Sequence, residues 1–287
     1  MALNSVKQLV DAELKGQARR NVWRKVPSQV TTAGYWFDLS LSPGNPVPKY
    51  WFDAPPAIAK AVSQSSDGGI FHGANTTPMT QYLRMTNAMS SSATGLPLPL
   101  MLCDFLLYYP SIDDSVTDTQ VMDNTVTLPR YTDGKGVQML AVTVAGRTGG
   151  QSFYVTYTNS DGVSGRTSQT VQQNAISAIG TITTSSLSTA SQSGNPFIGL
   201  QSGDSGVRSI ESVTMLGGDV GLFTIILVKP IAQTQIREQT APVEKDYFLE
   251  ESNVPEIQDD AYLSWLTCPQ GSLNGVVLTG DLQVIYN

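Results

Sequence analysis

The chain has few of the residues from which catalytic and metal sites are built. His72 is the only histidine, and the two cysteines, Cys103 and Cys268, lie far apart in the 287-residue sequence. One histidine argues against His-based metal sites and phosphotransfer relays. Two cysteines without CxxC spacing argue against a metal cluster and a disulfide framework. We therefore expect no metal and no cofactor. Two buried free thiols are the favoured interpretation of the cysteines, and one long-range disulfide is the alternative.

Long hydrophobic runs and signal features are also missing. The most hydrophobic run, residues 96–109, has fourteen residues and contains Pro97 and Pro99, whereas a membrane-spanning helix needs about 20 apolar residues. The first residues, MALNSVK, lack the basic and apolar regions of a signal peptide. We expect no membrane partner and synthesis in a reducing cytosol.

Charge is low and unevenly distributed. Charged residues make up 14% of the chain, which has a net charge of −7. Residues 1–60 carry eight Lys/Arg and four Asp/Glu, whereas residues 237–260 carry two and eight. This asymmetry predicts two oppositely charged surfaces of the kind that pair neighbouring subunits. Because the whole chain is acidic, we expect the basic segment to contact protein rather than nucleic acid.

The residues that are abundant favour strands and turns. The chain contains 25 glycines and 16 prolines, and 40% of its residues are hydrophobic. Residues 138–144 and 152–158 partly alternate between apolar and polar, and glycine-rich turns follow each run, which predicts a β-meander. A second hairpin is predicted from 207–216 and 220–228, with Pro230 ending its second strand. Further strands are predicted at 96–109, at 117–128 and, as a pair, at 275–286.

Helices are expected to be few. Leu3, Val6, Leu9, Val10 and Leu14 recur at helical spacing after a capping residue, Asn4 or Ser5. The pattern predicts a helix over 3–14, which residues 17–25 could continue as a basic segment. Short helices are also predicted at 57–62 and 259–266. The Ser/Thr-rich tract 172–193 is predicted to be packed but irregular.

The segment 34–53 contains an internal echo, because Tyr35-Trp36-Phe37-Asp38 recurs as Tyr50-Trp51-Phe52-Asp53 around a Pro-Gly-Asn-Pro turn. We call this segment the strap and expect its two ends to form short strands that return on each other. An ordinary hydrophobic cluster is the favoured interpretation, and a ligand-binding aromatic platform is the alternative. The candidate interface residues are Leu3, Val6, Val10, Arg19, Arg20, Trp23, Tyr35, Trp36, Phe37, Tyr50, Trp51 and Phe52.

One short motif points to an enzyme. Gly203-Asp204-Ser205-Gly206 resembles the GDSG sequence around the nucleophile of chymotrypsin-like serine proteases. His72 precedes it, and Asp104, Asp113 and Asp114 lie between, so the order His, Asp, Ser of that family is available. However, Val207-Arg208 replaces the expected Gly-Pro, and the flanks of His72 differ from the family pattern. A turn before a strand is the favoured interpretation.

The whole chain resembles virion structural proteins of tailed bacteriophages, in particular capsid decoration (cement) or head-associated proteins. The short helix at 3–14, the strap, the glycine turns at 159–162 and 217–219 and the Thr/Ser/Gly-rich strands carry this resemblance. It implies a non-enzymatic protein of the virion, assembled in the host cytoplasm. Its implied partners are the major capsid protein, other virion proteins and copies of itself.

The expected fold is mainly β, a β-sandwich or jelly-roll-like body with a short N-terminal helix and extended arms. Residues 1–55 are predicted to form the helix and an aromatic arm, 56–236 the sandwich body, and 237–287 an acidic segment whose last strands return to the body. We expect residues 1–55 and 237–270 to reach neighbouring subunits. A tail-associated or receptor-binding adhesin, with the strap as its ligand site, is the alternative function.

Overall fold

The protein is mainly β with a β-sandwich-like body, as the sequence predicts. The computed structural model describes residues 3, 5–75, 78–173, 175, 178–183, 195–251 and 253–287. Most of the tract 172–193, including 184–193, lies outside the described residues. No helix in the described part is long and apolar enough to cross a membrane.

Three α-helices and one 3-10 turn accompany the strands of the described chain. The helices are α1 (Val6–Leu14), α2 (Gln64–Asp67) and α3 (Tyr247–Glu250), and the 3-10 turn is Leu39–Leu41. The strands are β1 (Ala18–Lys25), β2 (Phe37–Asp38), β3 (Gly44–Asn45), β4 (Lys60–Ala61), β5 (Gln81–Ser90), β6 (Leu98–Asp113), β7 (Gln120–Val121), β8 (Gln138–Ala145), β9 (Ser152–Asn159), β10 (Arg166–Thr167), β11 (Val171–Gln172), β12 (Val207–Met215), β13 (Leu222–Ile236), β14 (Val243–Asp246), β15 (Glu256–Ile257), β16 (Tyr262–Thr267) and β17 (Leu278–Tyr286).

These strands form three antiparallel sheets. Sheet I has the order β14-β5-β17-β1-β3, with β15 also paired to β5. Sheet II has the order β2-β16-β6-β13-β8, with β4 also paired to β6. Sheet III has the order β10-β9-β12-β7, with β11 also paired to β9.

The long strand β6 explains how the sheets stack. Its first half packs Leu98, Leu100 and Leu102 into a core shared with sheet I. Beyond a register irregularity, Leu107 and Tyr109 pack into a core shared with sheet III. The opposite face contributes Met101, Cys103 and Phe105 to a core covered by the strap. A strand buried on both faces has no polar alternation, which is why 96–109 is apolar except at Asp104.

Two predicted hairpins are wrong in the same way. Strands β8 and β9 both form, but β8 pairs with β13 in sheet II and β9 pairs with β12 in sheet III. Strands β12 and β13 likewise belong to sheets III and II. The turns at 146–150 and 216–221 therefore carry the chain from one sheet to the other rather than closing hairpins. The turn at Asn159–Gly162 does lead β9 into its paired strand β10.

Several local predictions also need correction. Residues 18–25 form strand β1, held by eight residue pairs with β17, and do not extend α1. Residues 262–267 form a strand inside sheet II, and only residues 60 and 61 of the segment 57–62 are regular, as β4. Pro230 does not end β13, because a register shift there lets the strand continue to Ile236. Only two residues of 117–128 form a strand, β7.

The three predicted parts of the chain, residues 1–55, 56–236 and 237–287, contribute strands to the same sheet. In sheet I, β1 from residues 1–55 pairs with β17 from residues 237–287. Strand β17 pairs on its other side with β5 from residues 56–236. Both thiols are free, as expected; Cys103 is buried, whereas Cys268 is only half-buried and not buried as expected. Residues near both termini are thus part of the folded body.

Candidate functional site

Several candidate interface residues are core residues in the structure. Trp23, Phe37 and Trp51 are at most 2% exposed, and Trp36 and Leu3 are also buried. Trp23 packs on Trp265 with ring centroids 5.7 Å apart. Large aromatic side chains bury the most area, so the strap and β1 place them inward. These side chains therefore stabilise the fold and offer a partner no surface.

The two ends of the strap meet, but not as paired strands. Phe37 and Asp38 pair with Thr267 and Leu266 of β16. The contact between the ends is a hydrogen bond from Trp51 Nε1 to Asp38 Oδ2, 2.6 Å long. The Trp51 ring also stacks on Phe105 of β6, with ring centroids 5.3 Å apart. The repeated motif thus fixes the strap to sheet II, which agrees with the favoured interpretation of a hydrophobic cluster.

Lys25 shows why the strap wraps around the end of β1. Its buried ammonium group donates hydrogen bonds to the carbonyl oxygens of Ser40, Ser42 and Pro46, at 3.3, 3.0 and 2.8 Å. Burial lowers the pKa of Lys25 to about 8, against the opposing effect of Asp38. Although Lys25 belongs to the basic segment in sequence, it adds no charge to the surface.

Two aromatic residues of the strap remain at the surface. Tyr50 is 48% exposed and Phe52 is 46% exposed, and their ring centroids lie 5.5 Å apart. They border a small cavity of about 120 Å³ that Leu41 and Pro43 also line. Tyr35 is half-buried. Of the strap aromatics, Tyr50 and Phe52 are those that a ligand or partner can reach.

Helix α1 presents a second accessible apolar surface. Ser5 caps its start, and Leu9 packs with Leu3 and Ile285 in a small core. On the other side of the helix, Val6, Val10 and Leu14 are 61%, 48% and 82% exposed. Residues four apart lie above one another on a helix, so these three form one stripe, which we call the helix stripe.

Sheet I carries opposite charges at its two edges. In β1, Arg20, Val22 and Arg24 alternate with the buried Trp23 and Lys25, so they share the outward face. Val22 pairs with Asp281, Asp281 with Asn87 and Asn87 with Glu244, which places Glu244 on that same face. Arginines therefore mark the β1 edge, and Glu244 marks the β14 edge.

A groove opens beside β14, where the edges of sheets I and II face each other. It has a volume of about 800 Å³ and is lined by Gln233 and Gln235 of β13 and by Val243 and Lys245 of β14. Strand β8 pairs with β13 only as far as Val228, so the later part of β13 has one partner strand among the described residues. The groove thus runs between two strand edges.

The GDSG motif does not meet a catalytic base. The Ser205 hydroxyl lies 2.9 Å from that of Ser160. Both ring nitrogens of the buried His72 face other groups, with Nδ1 2.5 Å from Gln81 Oε1 and Nε2 2.8 Å from the carbonyl oxygen of Ala261. Because a triad requires the imidazole to bond the serine hydroxyl, this geometry contradicts a triad of Ser205 and His72.

Asp204 gives the motif a structural role that the sequence did not reveal. Its carboxylate accepts hydrogen bonds from Tyr157 Oη at 2.5 Å, Asn159 Nδ2 at 2.7 Å and Arg166 Nε at 3.0 Å. Burial acts to raise the pKa of Asp204, but these donors outweigh it and lower the pKa to about 2. The turn thereby holds β9 to β10.

Asp104, which precedes Ser205 in the order of a catalytic triad, is paired with Arg130 instead of His72. It is fully buried and accepts two hydrogen bonds from Arg130, at 2.8 and 2.7 Å.

Among the described residues, no three His, Cys, Asp or Glu side chains come together as a metal site requires. In the described part of the chain, the features that we consider as candidate sites are the helix stripe, the exposed strap aromatics, the charged edges of sheet I and the groove. Comparison with protein-family models, curated proteins and solved structures finds no match to this chain.

Proposed function

We propose that the protein is a non-enzymatic structural subunit of a phage virion that binds and stabilises the capsid lattice, as decoration proteins do. The helix stripe carries this proposal. Val6, Val10 and Leu14 are exposed on a helix whose opposite side is anchored in a core of the same chain. Contiguous exposed apolar surface on a folded protein marks an interaction site.

The partner is the major capsid protein or another virion protein with an apolar groove. An amphipathic helix binds such a groove through residues at i and i+4 spacing, which is the spacing of the stripe. Because Leu9 and Ala12 hold the other side of α1 against the body, the helix is already ordered before binding. A pre-ordered element loses less conformational entropy on association.

The test is co-sedimentation of the purified protein with particles of the phage that encodes it, after stripping and re-addition. Wild-type protein is expected in the particle fraction, and Val6→Glu/Val10→Glu protein in the free fraction. Val163→Glu is the control, because Val163 is a 50% exposed valine remote from α1 in sequence. Absence of the wild-type protein from the particles overturns the proposal, and so does equal binding by the stripe variant.

A second candidate function rests on a different observation. Tyr50 and Phe52 form an exposed pair beside a small cavity, and aromatic pairs of this kind suit the apolar face of a sugar or a similar ring. This supports the adhesin alternative. Binding of a glycan array that is lost in Tyr50→Ala/Phe52→Ala favours the adhesin, whereas no binding by the wild type excludes a glycan ligand at this site.

A further inference from the structure

We propose that copies of this chain associate edge to edge, the β1 edge of one copy pairing with the β14 edge of the next, so that sheet I continues between them. This inference rests on the proposed assembly role and names the surface that joins neighbouring copies. Three properties of sheet I lead to it: unpaired strand edges, their opposite charges and their relative direction.

Both outer strands of sheet I have an open side. Strand β1 pairs with β17 along its whole length, but β3 covers only Arg24 and Lys25 on its other side. Strand β14 pairs with β5 and has no second partner strand in the described part of the chain, and its other side borders the groove that separates it from β13. An edge of this kind presents unpaired N–H and C=O groups, which are a template for another strand.

Hydrogen bonds show which backbone groups point outward. The Val22 carbonyl oxygen accepts a bond from Asn45 Nδ2 of β3, at 3.1 Å, so Val22 turns its backbone polar groups to the open side of β1. The Asp246 N–H donates to Glu250 Oε1 at 3.0 Å and thus points away from β5. Both of these groups are already bonded within the chain. Because polar groups alternate along a strand, Arg20 and Glu244 turn the same way as Val22 and Asp246, and their backbone groups are the ones that the edge pairing uses.

Two copies could pair β1 with β1, β14 with β14, or β1 with β14, and the charges favour the third arrangement. Arg20 and Arg24 lie on the outward face of β1, and Glu244 lies on the outward face of β14. Placing β1 against a second β1, or β14 against a second β14, brings like charges together, which is destabilising. Placing β1 against β14 brings opposite charges together. Charged edges that repel their own kind are a common protection against non-specific pairing, and here they leave the head-to-tail pairing open.

The strand directions agree with this arrangement. Every neighbouring pair in the path β14-β5-β17-β1 is antiparallel, so β14 and β1 run in opposite directions. When a second copy is shifted across the strands without being turned over, its β14 lies antiparallel to the first copy's β1. The shift also keeps the outward faces on one side, so the arginines and Glu244 share a face. A heterologous contact of this type closes into a ring or extends as an open array.

The experiment is charge reversal with rescue, read by sedimentation velocity over a concentration series at low salt. Arg20→Glu and Glu244→Lys are each expected to weaken self-association by about 2- to 30-fold, the range for replacing a favourable cross-strand charge pair with a repulsive one. Arg20 is chosen because β3 leaves its side of β1 uncovered. The double variant Arg20→Glu/Glu244→Lys is expected to recover wild-type association, since the two edges again carry opposite charges. An equimolar mixture of the two single variants is expected to associate more strongly than either alone.

Asp118→Lys is the control for Glu244→Lys, because Asp118 is exposed and undergoes the same change of charge outside sheet I. Circular dichroism checks that each variant is folded. A wild-type protein that stays monomeric up to its solubility limit overturns the edge pairing, as does a double variant that associates no better than the single ones. If such a protein still co-sediments with phage particles, the proposed capsid role survives and only the contact between copies is wrong.

Discussion

The Arg147 guanidinium lies 3.3 Å from the Asp114 carboxylate, and neither side chain has any solvent exposure. The pair lies where three connections pass between sheets II and III, at 114–119, 146–151 and 216–221. Asp219 adds to this junction through bonds from Thr148 and from the Gly149 N–H to its carboxylate, while its own N–H donates to the Asp114 carbonyl oxygen. The crossovers are therefore joined to one another by polar contacts.

Arg147→Met is expected to lower the free energy of unfolding by about 3–5 kcal/mol, because it leaves a buried carboxylate without its cation. Arg147→Met/Asp114→Leu is expected to recover most of that loss, since replacing both charges with apolar groups removes the desolvation cost of the pair. Urea unfolding followed by tryptophan fluorescence measures both. A single variant as stable as wild type shows that the pair does not hold the crossovers.

The same carboxyl group makes stability depend on pH. Burial raises the pKa of Asp114 to about 6, with Arg147 acting in the opposite direction, whereas an unfolded Asp titrates near about 3.9. The folded state thus binds the proton more tightly, so the contribution of Asp114 to stability is full below pH ~4 and is lost as the pH rises through ~6. Asp104 behaves similarly, because burial also raises its pKa to about 6.

We therefore expect the free energy of unfolding of Asp114→Asn to fall less steeply between pH 4 and 6 than that of the wild type. Urea titrations at several pH values measure the two slopes. Burial lowers the pKa of His72, which contributes a trend of opposite sign, so the difference between the two proteins is the informative quantity. Parallel slopes contradict the raised pKa of Asp114.

Several strand positions could be predicted from the sequence, although β1 and β16 were expected to be helical; strand partners could not be predicted. The alternation in 152–158 is local and correctly gives β9, whose burial pattern alternates along its whole length. Glycines at 146–150 and 217–218 supply turn geometry without specifying whether the chain returns beside the same strand or crosses to another sheet. That choice depends on contacts with distant strands such as β13, which no local pattern encodes.

The candidate surface was only partly predictable for a related reason. Periodicity identifies α1, and Val6 and Val10 on it are exposed. Periodicity does not decide which of two apolar sides the body covers, so it groups Leu3 with them although Leu3 is buried. The opposite charges of the two ends of the chain were visible in the sequence, but their position at opposite edges of one sheet required the fold.

Asp204 and Ser205 separate a structural interpretation of the GDSG turn from a catalytic one. Asp204→Ala is expected to lower the free energy of unfolding by about 1.5–3 kcal/mol, the usual effect of losing a hydrogen bond to a charged group. The loss is larger if more than one of the three donors to Asp204 is left unpaired. Ser205→Ala is expected to lower the free energy of unfolding by only about 0.5–1.5 kcal/mol, because the Ser205 hydroxyl bonds the single hydroxyl of Ser160. Thermal unfolding measures both. Covalent labelling of Ser205 by a serine-directed fluorophosphonate, abolished in Ser205→Ala, would contradict this assignment.

Trp51 and Phe52 are adjacent aromatics with opposite expected effects. Trp51 is fully buried, stacks on Phe105 and donates a hydrogen bond to the buried Asp38. Trp51→Ala is expected to lower the free energy of unfolding by about 3–5 kcal/mol, the usual cost of deleting a large core aromatic. Phe52 is 46% exposed, so Phe52→Ala is expected to change stability by less than about 0.5 kcal/mol. Urea unfolding of the two variants in parallel is the measurement; equal losses would mean that the strap is not anchored through its second tryptophan.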